Sequence, residues 1–446
     1  MKIEMCALGG FSEVGSNMTA IKVGDEVVLF DMGFNIPEVI KLQESEGNKS
    51  ELSRERMIIS RAVPDDNPIK DWVKMVKGIV LSHCHLDHIG AVPYLAGRYK
   101  DASIFGTPFT IEVLKTTMKD DRVKIKNPMK VLNPNSKIKL TDNITLEFVH
   151  TTHSTPQTVL AVLHTPAGII MYGNDFKFDN HPIIGKSPNY KRIQELGDEG
   201  VSLLIVDALY SHQGIKTPSE NVARDMLEDV MMHTPNEGKL LIATTFASHI
   251  ARLKSIITFG KKLDRKVVIL GRSMFKYISS AQAAKIINLS EGVELVRFSG
   301  QVKAKLKEIQ KNPSRYLVVC TGHQGEPGAI LTRLAFKELP YEFQEGDHVI
   351  FACKTIPAAI NIANREALEG KLRQRKVRMF KDIHTSGHLA REDHRDLLHM
   401  VRPKHLVPAQ GDVAKLMHLA DLAVEEGYLL GDNVHILRDG QFKIFE

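Results

Sequence analysis

The sequence predicts an α/β chain in which a parallel strand–helix unit is set into a part of a different style. Three features carry this expectation. Short apolar runs recur, most followed at once by polar or glycine-rich clusters: Val27-Val28-Leu29-Phe30 before Asp31-Met32-Gly33, Gly78-Ile79-Val80-Leu81 before Ser82-His83-Cys84-His85, Ile169-Ile170-Met171-Tyr172 before Gly173-Asn174-Asp175, and Leu203-Leu204-Ile205-Val206 before Asp207. Runs of this length and composition read as buried strands. Strands then alternate with helical patterns from about residue 203 to 335, which predicts parallel pairing. The stretches 404–408 and 433–437 return to the short-strand style of the beginning, so one domain inserted into another is the expected organisation.

Before residue 200 the chain reads as α+β with hairpins, marked by turn signals such as Thr141-Asp142-Asn143. Residues 34–70 are its least regular piece, read as a long loop or excursion that leaves room for some helix, rich in charged and turn residues from Glu44 to Lys49 and at Pro64-Asp65-Asp66-Asn67-Pro68. A helix is expected from Ile89 to Leu95. In the middle unit helices are expected over 219–234, with Ser219 as N-cap, over 249–262 and over 303–311. The expected domain boundaries are 1–206, 207–365 and 366–446.

Composition excludes several classes. A chain of 446 residues, 43% hydrophobic and 25% charged, is neither disordered, nor a coiled coil, nor a small disulfide scaffold. The first apolar stretch is broken by Gly9, Gly10 and Glu13, so no signal peptide is expected, and no apolar run is long enough to span a bilayer. Cys6, Cys84, Cys320 and Cys353 are scattered without a paired spacing and read as reduced thiols of a cytoplasmic protein. A net charge of +6 permits a polyanionic partner without arguing for one.

The sharpest chemical signal is Ser82-His83-Cys84-His85-Leu86-Asp87-His88-Ile89-Gly90. At the end of a strand His83 and His85 point the same way, because side chains alternate with period two. Asp87 and His88 follow where the chain turns into a helix. One turn therefore offers two imidazoles to one ion, and a carboxylate with an imidazole to a second. Such donors suit zinc best, with manganese next. Closing two sites needs further ligands, and His153 and Asp175, each after an expected strand, are the candidates. Asp175 is able to give one oxygen to each ion.

Asp31, the His-x-His-x-Asp-His series at 83–88, His153 and Asp175 occur in the order and spacing of the metallo-β-lactamase superfamily. Thr244-Thr245-Phe246-Ala247-Ser248, Gly271-Arg272-Ser273-Met274, Thr321-Gly322-His323-Gln324-Gly325-Glu326-Pro327 and His384-Thr385-Ser386-Gly387-His388 resemble its β-CASP branch. The combination is most similar to the ribonuclease J family in its short archaeal form, and the resemblance covers nearly the whole chain. It implies a metallo-β-lactamase αββα sandwich with an inserted β-CASP parallel α/β domain. It implies a zinc-dependent ribonuclease acting mainly 5′→3′ on single-stranded RNA, with a preference for 5′-monophosphate ends and endonucleolytic cleavage as a second mode. His83, His85 and His153 would hold one zinc, Asp87 and His88 the other, with Asp175 bridging and Asp31 orienting the ligands from behind. Water activated between the ions would attack phosphorus near Asp87, and Asp207 would orient His388 to protonate the leaving 3′-oxygen. An endonuclease of the mRNA 3′-end-processing type is the alternative within the branch, and a non-catalytic RNA-binding module the alternative outside it.

One position departs from the family pattern. The third β-CASP motif normally supplies a histidine to the second zinc, and Gln410 stands there. An amide oxygen is a poor zinc ligand, so the second of the two expected zincs is weakly held on this reading.

Arg272 and Ser273 follow one expected strand, and Gly322, His323 and Gln324 follow another. In open α/β sheets ligands bind outside the carboxyl ends of strands, and glycines there let backbone N–H groups reach phosphate oxygens. These residues, with Ser248 and His249 at the start of a helix and with His384 and Ser386 in the turn before His388, are the expected RNA contacts. Ser386 would face the scissile phosphate. The basic runs Lys303 to Lys311 and Lys371 to Arg378 read equally as backbone-tracking surface or as solvated helix faces. RNA is the expected partner and a membrane is not. The sequence leaves the oligomeric state open, a homodimer included.

Overall fold

The computed structural model describes residues 1–46 and 52–446, and the chain divides into two compact units. The first comprises Met1–Asn180, Lys186–Thr217 and Ser386–Glu446, the second His181–Gly185 and Pro218–Thr385. The division differs from the boundaries expected at 207 and 366. The strand Val201–Asp207 and the loop after it stay with the first unit, where the strand pairs with His405–Ala409 and Tyr210 bridges Ala390. The helix Ala359–Gln374 stays with the second unit, as does Arg378–Phe380, which adds an edge strand to that unit's sheet.

The first unit is a sandwich of two sheets. One has the strand order Phe442–Phe445, Ile3–Gly9, Met18–Val23, Glu26–Phe30, Val76–Val80, Ser103–Gly106, Met129–Val131. The other runs His405–Ala409, Val201–Asp207, Gly168–Gly173, Val159–Thr165, Thr145–His150, Ser136–Lys139. Alternate residues of both sheets meet in one buried core that holds Met5, Val28, Phe148, Ile170, Ile205 and Val407. Phe30 and Tyr172 stack across it, with ring centroids 4.7 Å apart and planes within 8°. The far face of the second sheet is covered by the helices Tyr190–Glu199, Arg391–Val401 and Val413–Glu425, whose apolar residues share a core with Leu204 and Leu406. The helix Pro108–Asp121 lies against strands of the first sheet. This is the helix–sheet–sheet–helix layering expected from the resemblance.

Several local expectations need correction. The stretch 433–437 is not a strand. Asn433 and Val434 turn back to bond the Leu429 carbonyl, so Val434 makes only isolated bridges. The final strand is Phe442–Phe445 instead, antiparallel to Ile3–Gly9. The helix expected from Ile89 to Leu95 is two short ones, Leu86–Ile89 and Val92–Leu95, with Pro93 near the start of the second. The excursion at 34–70 contains the helices Ile36–Glu46 and Arg54–Ile59 and the start of Asn67–Met75. The last part of the charged stretch from Glu44 to Lys49 lies outside the described residues.

The second unit is a six-stranded parallel sheet in the order Val293–Val296, Lys266–Leu270, Tyr316–Cys320, Leu241–Thr244, His348–Phe351, Arg378–Phe380. The helices Glu220–Met232, Ile250–Lys262 and Ser299–Lys311 fall where the sequence predicts them, and Ser219 accepts from the Asn221 N–H as the N-cap of the first.

Strand ends of the first unit deliver the chemistry. Phe30, Val80, Gly173, Val206 and Ala409 lead directly into Asp31, the Ser82–His88 turn, Asn174-Asp175, Asp207 and Gln410. Asp31, Asp175 and Gln410 all adopt left-handed backbone, with φ of 55°, 47° and 62°. Such conformations cost free energy outside glycine and gather where a side chain must be aimed.

Candidate metal centre

Three imidazoles converge in the first unit. His83 Nε2 lies 3.1 Å from His85 Nδ1, which lies 3.2 Å from His153 Nε2. The opposite nitrogens assign the protons. His83 Nδ1–H donates to Ser82 Oγ at 3.0 Å, because the Ser82 hydroxyl is itself donating to Asp31. His153 Nδ1–H donates to the Gly387 carbonyl at 2.6 Å. His83 and His153 therefore present bare lone pairs to the centre. Burial, followed by mutual repulsion, holds His83 and His153 well below the ordinary histidine value, and burial holds His85 at about 4. Neutral imidazoles packed lone pair to lone pair repel unless a cation lies between them. Ligands about 2.0–2.1 Å from a tetrahedral zinc sit about 3.3 Å from one another, close to the spacing here. Asp175 completes the group, and donor atoms of His83, His85, His153 and Asp175 all lie within 4.8 Å of one another.

A second group shares Asp175. Asp175 Oδ2 is 3.1 Å from His88 Nε2, and Asp87 Oδ2 is 3.6 Å from the same nitrogen. His88 Nδ1 faces Asp31 Oδ2 at 2.8 Å. Burial opposes charge on His88, but Asp175, Asp87 and Asp31 outweigh it and raise the group well above its ordinary value. A divalent cation answers the same concentration of negative charge. Both groups thus fit a metal by donor type and spacing, the first also by the neutral state of its imidazoles, and Asp175 belongs to both.

Gln410 is 1% exposed and reaches the second group. Its Oε1 accepts from the Gly15 N–H at 2.8 Å, so its amide nitrogen faces the carboxylates: 3.2 Å from Asp87 Oδ2 and 3.1 and 3.3 Å from the Asp175 oxygens. Turning the amide over would set N–H against N–H, so the backbone fixes its sense. An amide nitrogen has no lone pair to give a metal. Gln410 therefore stands in the second group as a hydrogen-bond donor to its carboxylates.

His388 stands at the edge of the cluster. Its Nδ1 is 2.6 Å from Asp207 Oδ2 and 4.0 Å from Asp175 Oδ1. Asp207 is aimed by the Leu209 N–H, which donates to Oδ1 at 2.7 Å. Burial lowers the His388 pKa, but Asp207 and Asp175 overcome it and raise the group to about 9. Burial pushes Asp207 up, against the pull of His388. Ser386 Oγ accepts from the His388 N–H at 3.1 Å, which holds the turn that presents the ring.

Comparison with known proteins agrees with this arrangement. Residues 12–230 match the metallo-beta-lactamase superfamily, 237–367 match the ribonuclease J beta-CASP domain, and 374–437 match the Zn-dependent metallo-hydrolase RNA specificity domain. Ribonuclease J of Methanocaldococcus jannaschii is 44% identical over 100% of this chain and 99% of its own length. The chain belongs to the ribonuclease J family. Ribonuclease J of Pyrococcus abyssi is likewise 44% identical, over 98% of this chain and 96% of that one. A crystal structure of a protein of unknown function from Enterococcus faecalis shares the fold, with a TM-score of 0.67 and 17% identity over the full length of both chains.

The remaining candidates lie in the second unit, except for Ser386. The inserted β-CASP sheet carries two of its loops at the carboxyl ends of neighbouring parallel strands, Lys266–Leu270 and Tyr316–Cys320. Arg272 and Ser273 are exposed at the start of the helix Arg272–Ala283. Gly322 and Gly325 have φ of 119° and 76°, and a Cβ on Gly325 would meet the Asn364 carbonyl oxygen at 2.2 Å. His323 is buried beside Phe246, ring centroids 4.1 Å apart, with neither ring nitrogen paired among the described residues. Burial and then Arg365 lower it to about 3. Gln324 braces a neighbouring loop: Nε2 donates to the Lys354 carbonyl and Oε1 accepts from the Ile356 N–H. His249 caps its helix by accepting from the Arg252 N–H and lies 3.5 Å from Glu220. Ser248 is buried, and His384 is half-buried, with burial holding it at about 2.

Sequence reasoning missed the supports. Asn17 places its amide nitrogen 3.1 Å from His88 Nε2 and donates to the Asp87 carbonyl, while its Oδ1 accepts from Asn174. Asn174 in turn donates to Tyr172, whose hydroxyl donates to Asp31. The glycine-rich stretch from Gly9 to Gly15 was the available signal for the Asn17 loop. Nothing local marks Tyr172, which reads as one more apolar strand residue. Among the described residues no helix is long and apolar enough to cross a membrane.

Proposed function

We propose that the chain is a metal-dependent ribonuclease that holds two zinc ions, acts mainly 5′→3′ on single-stranded RNA, prefers a 5′-monophosphate end and also cuts internally. The observation that carries the metal-dependent chemistry is the convergence of His83, His85 and His153 lone pairs at 3.1 and 3.2 Å. The names of the relatives supply RNA as substrate. His83, His85, His153 and Asp175 would hold one ion, and Asp87, His88 and Asp175 the other. Bound there, divalent cations supply a nucleophilic water at neutral pH and offset charge developing on the phosphate.

The chain's own residues do the rest. Asp31 accepts from His88 Nδ1 and so directs Nε2 to the centre. His388, held by Asp207 at Nδ1, would give its Nε2 proton to the departing 3′-oxygen. Asp207 stabilises the imidazolium until the proton leaves. Ser386 holds the turn before His388, next to the scissile phosphate. In the second unit, Arg272, Ser273 and the glycine turn at 322–325 would receive a 5′-monophosphate through charge and backbone N–H groups, with His323 and Gln324 shaping the loop from behind. Ser248, His249 and His384 would line the path of the RNA backbone.

Digestion of end-labelled RNA with 5′-monophosphate, triphosphate or hydroxyl ends tests this. Fastest shortening of the monophosphorylated RNA from its 5′ end is expected. No cleavage, or shortening from the 3′ end, would overturn the reading. A slow hydrolase that mainly binds RNA is the second reading, favoured by the Gln410 amide, which leaves the second ion three protein ligands.

A further inference from the structure

A file of rings runs outward from His388. The Tyr210 centroid lies 5.6 Å from His388, His212 lies 6.1 Å from Tyr210 with planes within 27°, and His418 lies 5.7 Å from His212. At its inner end the His388 ring is 5.1 Å from His153. Exposure rises along the file, from half-buried His388 and Tyr210 to exposed His212 and His418. The turn that carries Tyr210 and His212 is held by its own hydrogen bonds, and His418 stands on the helix Val413–Glu425. Ser211 N–H and Oγ–H both donate to the Ala208 carbonyl, Gln213 N–H donates to the Tyr210 carbonyl, and Tyr210 bridges Ala390. The backbone that presents Tyr210 and His212 is thus fixed before any contact.

The surroundings indicate which part of a nucleotide these rings suit. The cations beside the file are already paired, Lys415 with Asp412 and Arg391 with Glu425. The surface therefore offers ring faces more than free charge. Ring faces recognise the π-face that every base has, and they do so without sequence preference.

We propose that Tyr210, His212 and His418 form a stacking platform for the bases of single-stranded RNA next to the scissile phosphate. The proposal rests on the ribonuclease reading above and adds residues that no part of that reading uses.

The test is a coupling measurement on the zinc-loaded full chain, with phosphorothioate RNA that resists hydrolysis. A single abasic nucleotide is stepped through the RNA, and the dissociation constant is measured at each position. In the unmodified chain one or two adjacent positions should weaken binding by about 5–150-fold, the range for losing a base–aromatic stack. Tyr210→Leu and His212→Ala should reduce that penalty to less than about twofold, and Tyr210→Phe should restore it. Unchanged zinc uptake by the variants would separate the effect from damage to the centre. Penalties equal in the variants and the unmodified chain, with RNA still bound and ordinary RNA still cut, would overturn the platform alone. RNA neither bound nor cut by the unmodified chain would overturn the ribonuclease reading, and the platform with it.

Discussion

Asp31 accepts four hydrogen bonds, from Ser82 N–H and Oγ–H, from His88 Nδ1 and from the Tyr172 hydroxyl, at 2.8 to 3.0 Å. One buried carboxylate thereby fixes the ring of His88 and, through Ser82, that of His83. Gly387 does the same for His153, and does it because it lacks a side chain. A Cβ there would meet the imidazole at 2.7 Å. Gly387→Ala should therefore weaken zinc binding by about 10–100-fold, as loss of a ligand's outer hydrogen bond does, with the fold retained. A zinc titration beside circular dichroism checks this. Asp207→Asn removes the negative partner of His388, so single-turnover cleavage should fall about 10²–10⁴-fold at unchanged zinc content. His83, His85, Asp87 and His88 were legible in the sequence because they lie in one short turn with strand alternation. Gly387 and Tyr172 were not, because a missing Cβ and a buried hydroxyl matter only through residues far along the chain.

Glu147 binds the second sheet to its covering helix. It lies between Lys137 on the neighbouring strand at 3.1 Å, His164 at 2.7 Å and Arg192 of the helix Tyr190–Glu199 at 2.8 Å. Burial raises its pKa, but the bonds from His164, Arg192 and Lys137 win and lower it to about 2. A carboxylate depressed in the folded state contributes stability above its unfolded value near 4.3, and loses it as pH falls from there toward about 2. Glu147→Gln should cost about 1–3 kcal/mol near neutrality, with the gap to the unmodified chain closing below about pH 4. Urea unfolding at several pH values measures it. In the second unit Glu220 pairs with the fully buried Arg252 through both oxygens. Glu220→Ala strands that guanidinium and should cost about 3–5 kcal/mol, visible as a lowered melting transition. The parallel helices and strands of this unit were legible because apolar runs and caps alternate plainly. The strand at Phe442–Phe445 escaped notice because it is only four residues long and its apolar Phe442 and Ile444 are exposed, so no buried run marks it.

At the scale of the whole molecule, the resemblance across the chain anticipated the layered sandwich and its inserted sheet. The unit boundaries were less legible, because the loop after Asp207 and the edge strand Arg378–Phe380 take their allegiance from pairing partners distant in sequence. Gln410 was visible as a departure, but its role depends on Gly15, which fixes the amide from 395 residues away. Gln410→His should raise zinc content towards two per chain and increase the cleavage rate. The measurement that tests the account most directly is single-turnover cleavage of 5′-monophosphorylated RNA by metal-stripped protein as zinc is added back. No cleavage without metal, recovery as the cluster fills, and none at any zinc concentration in His83→Ala is the predicted result. Cleavage by the stripped protein, or undiminished cleavage by His83→Ala, would contradict it.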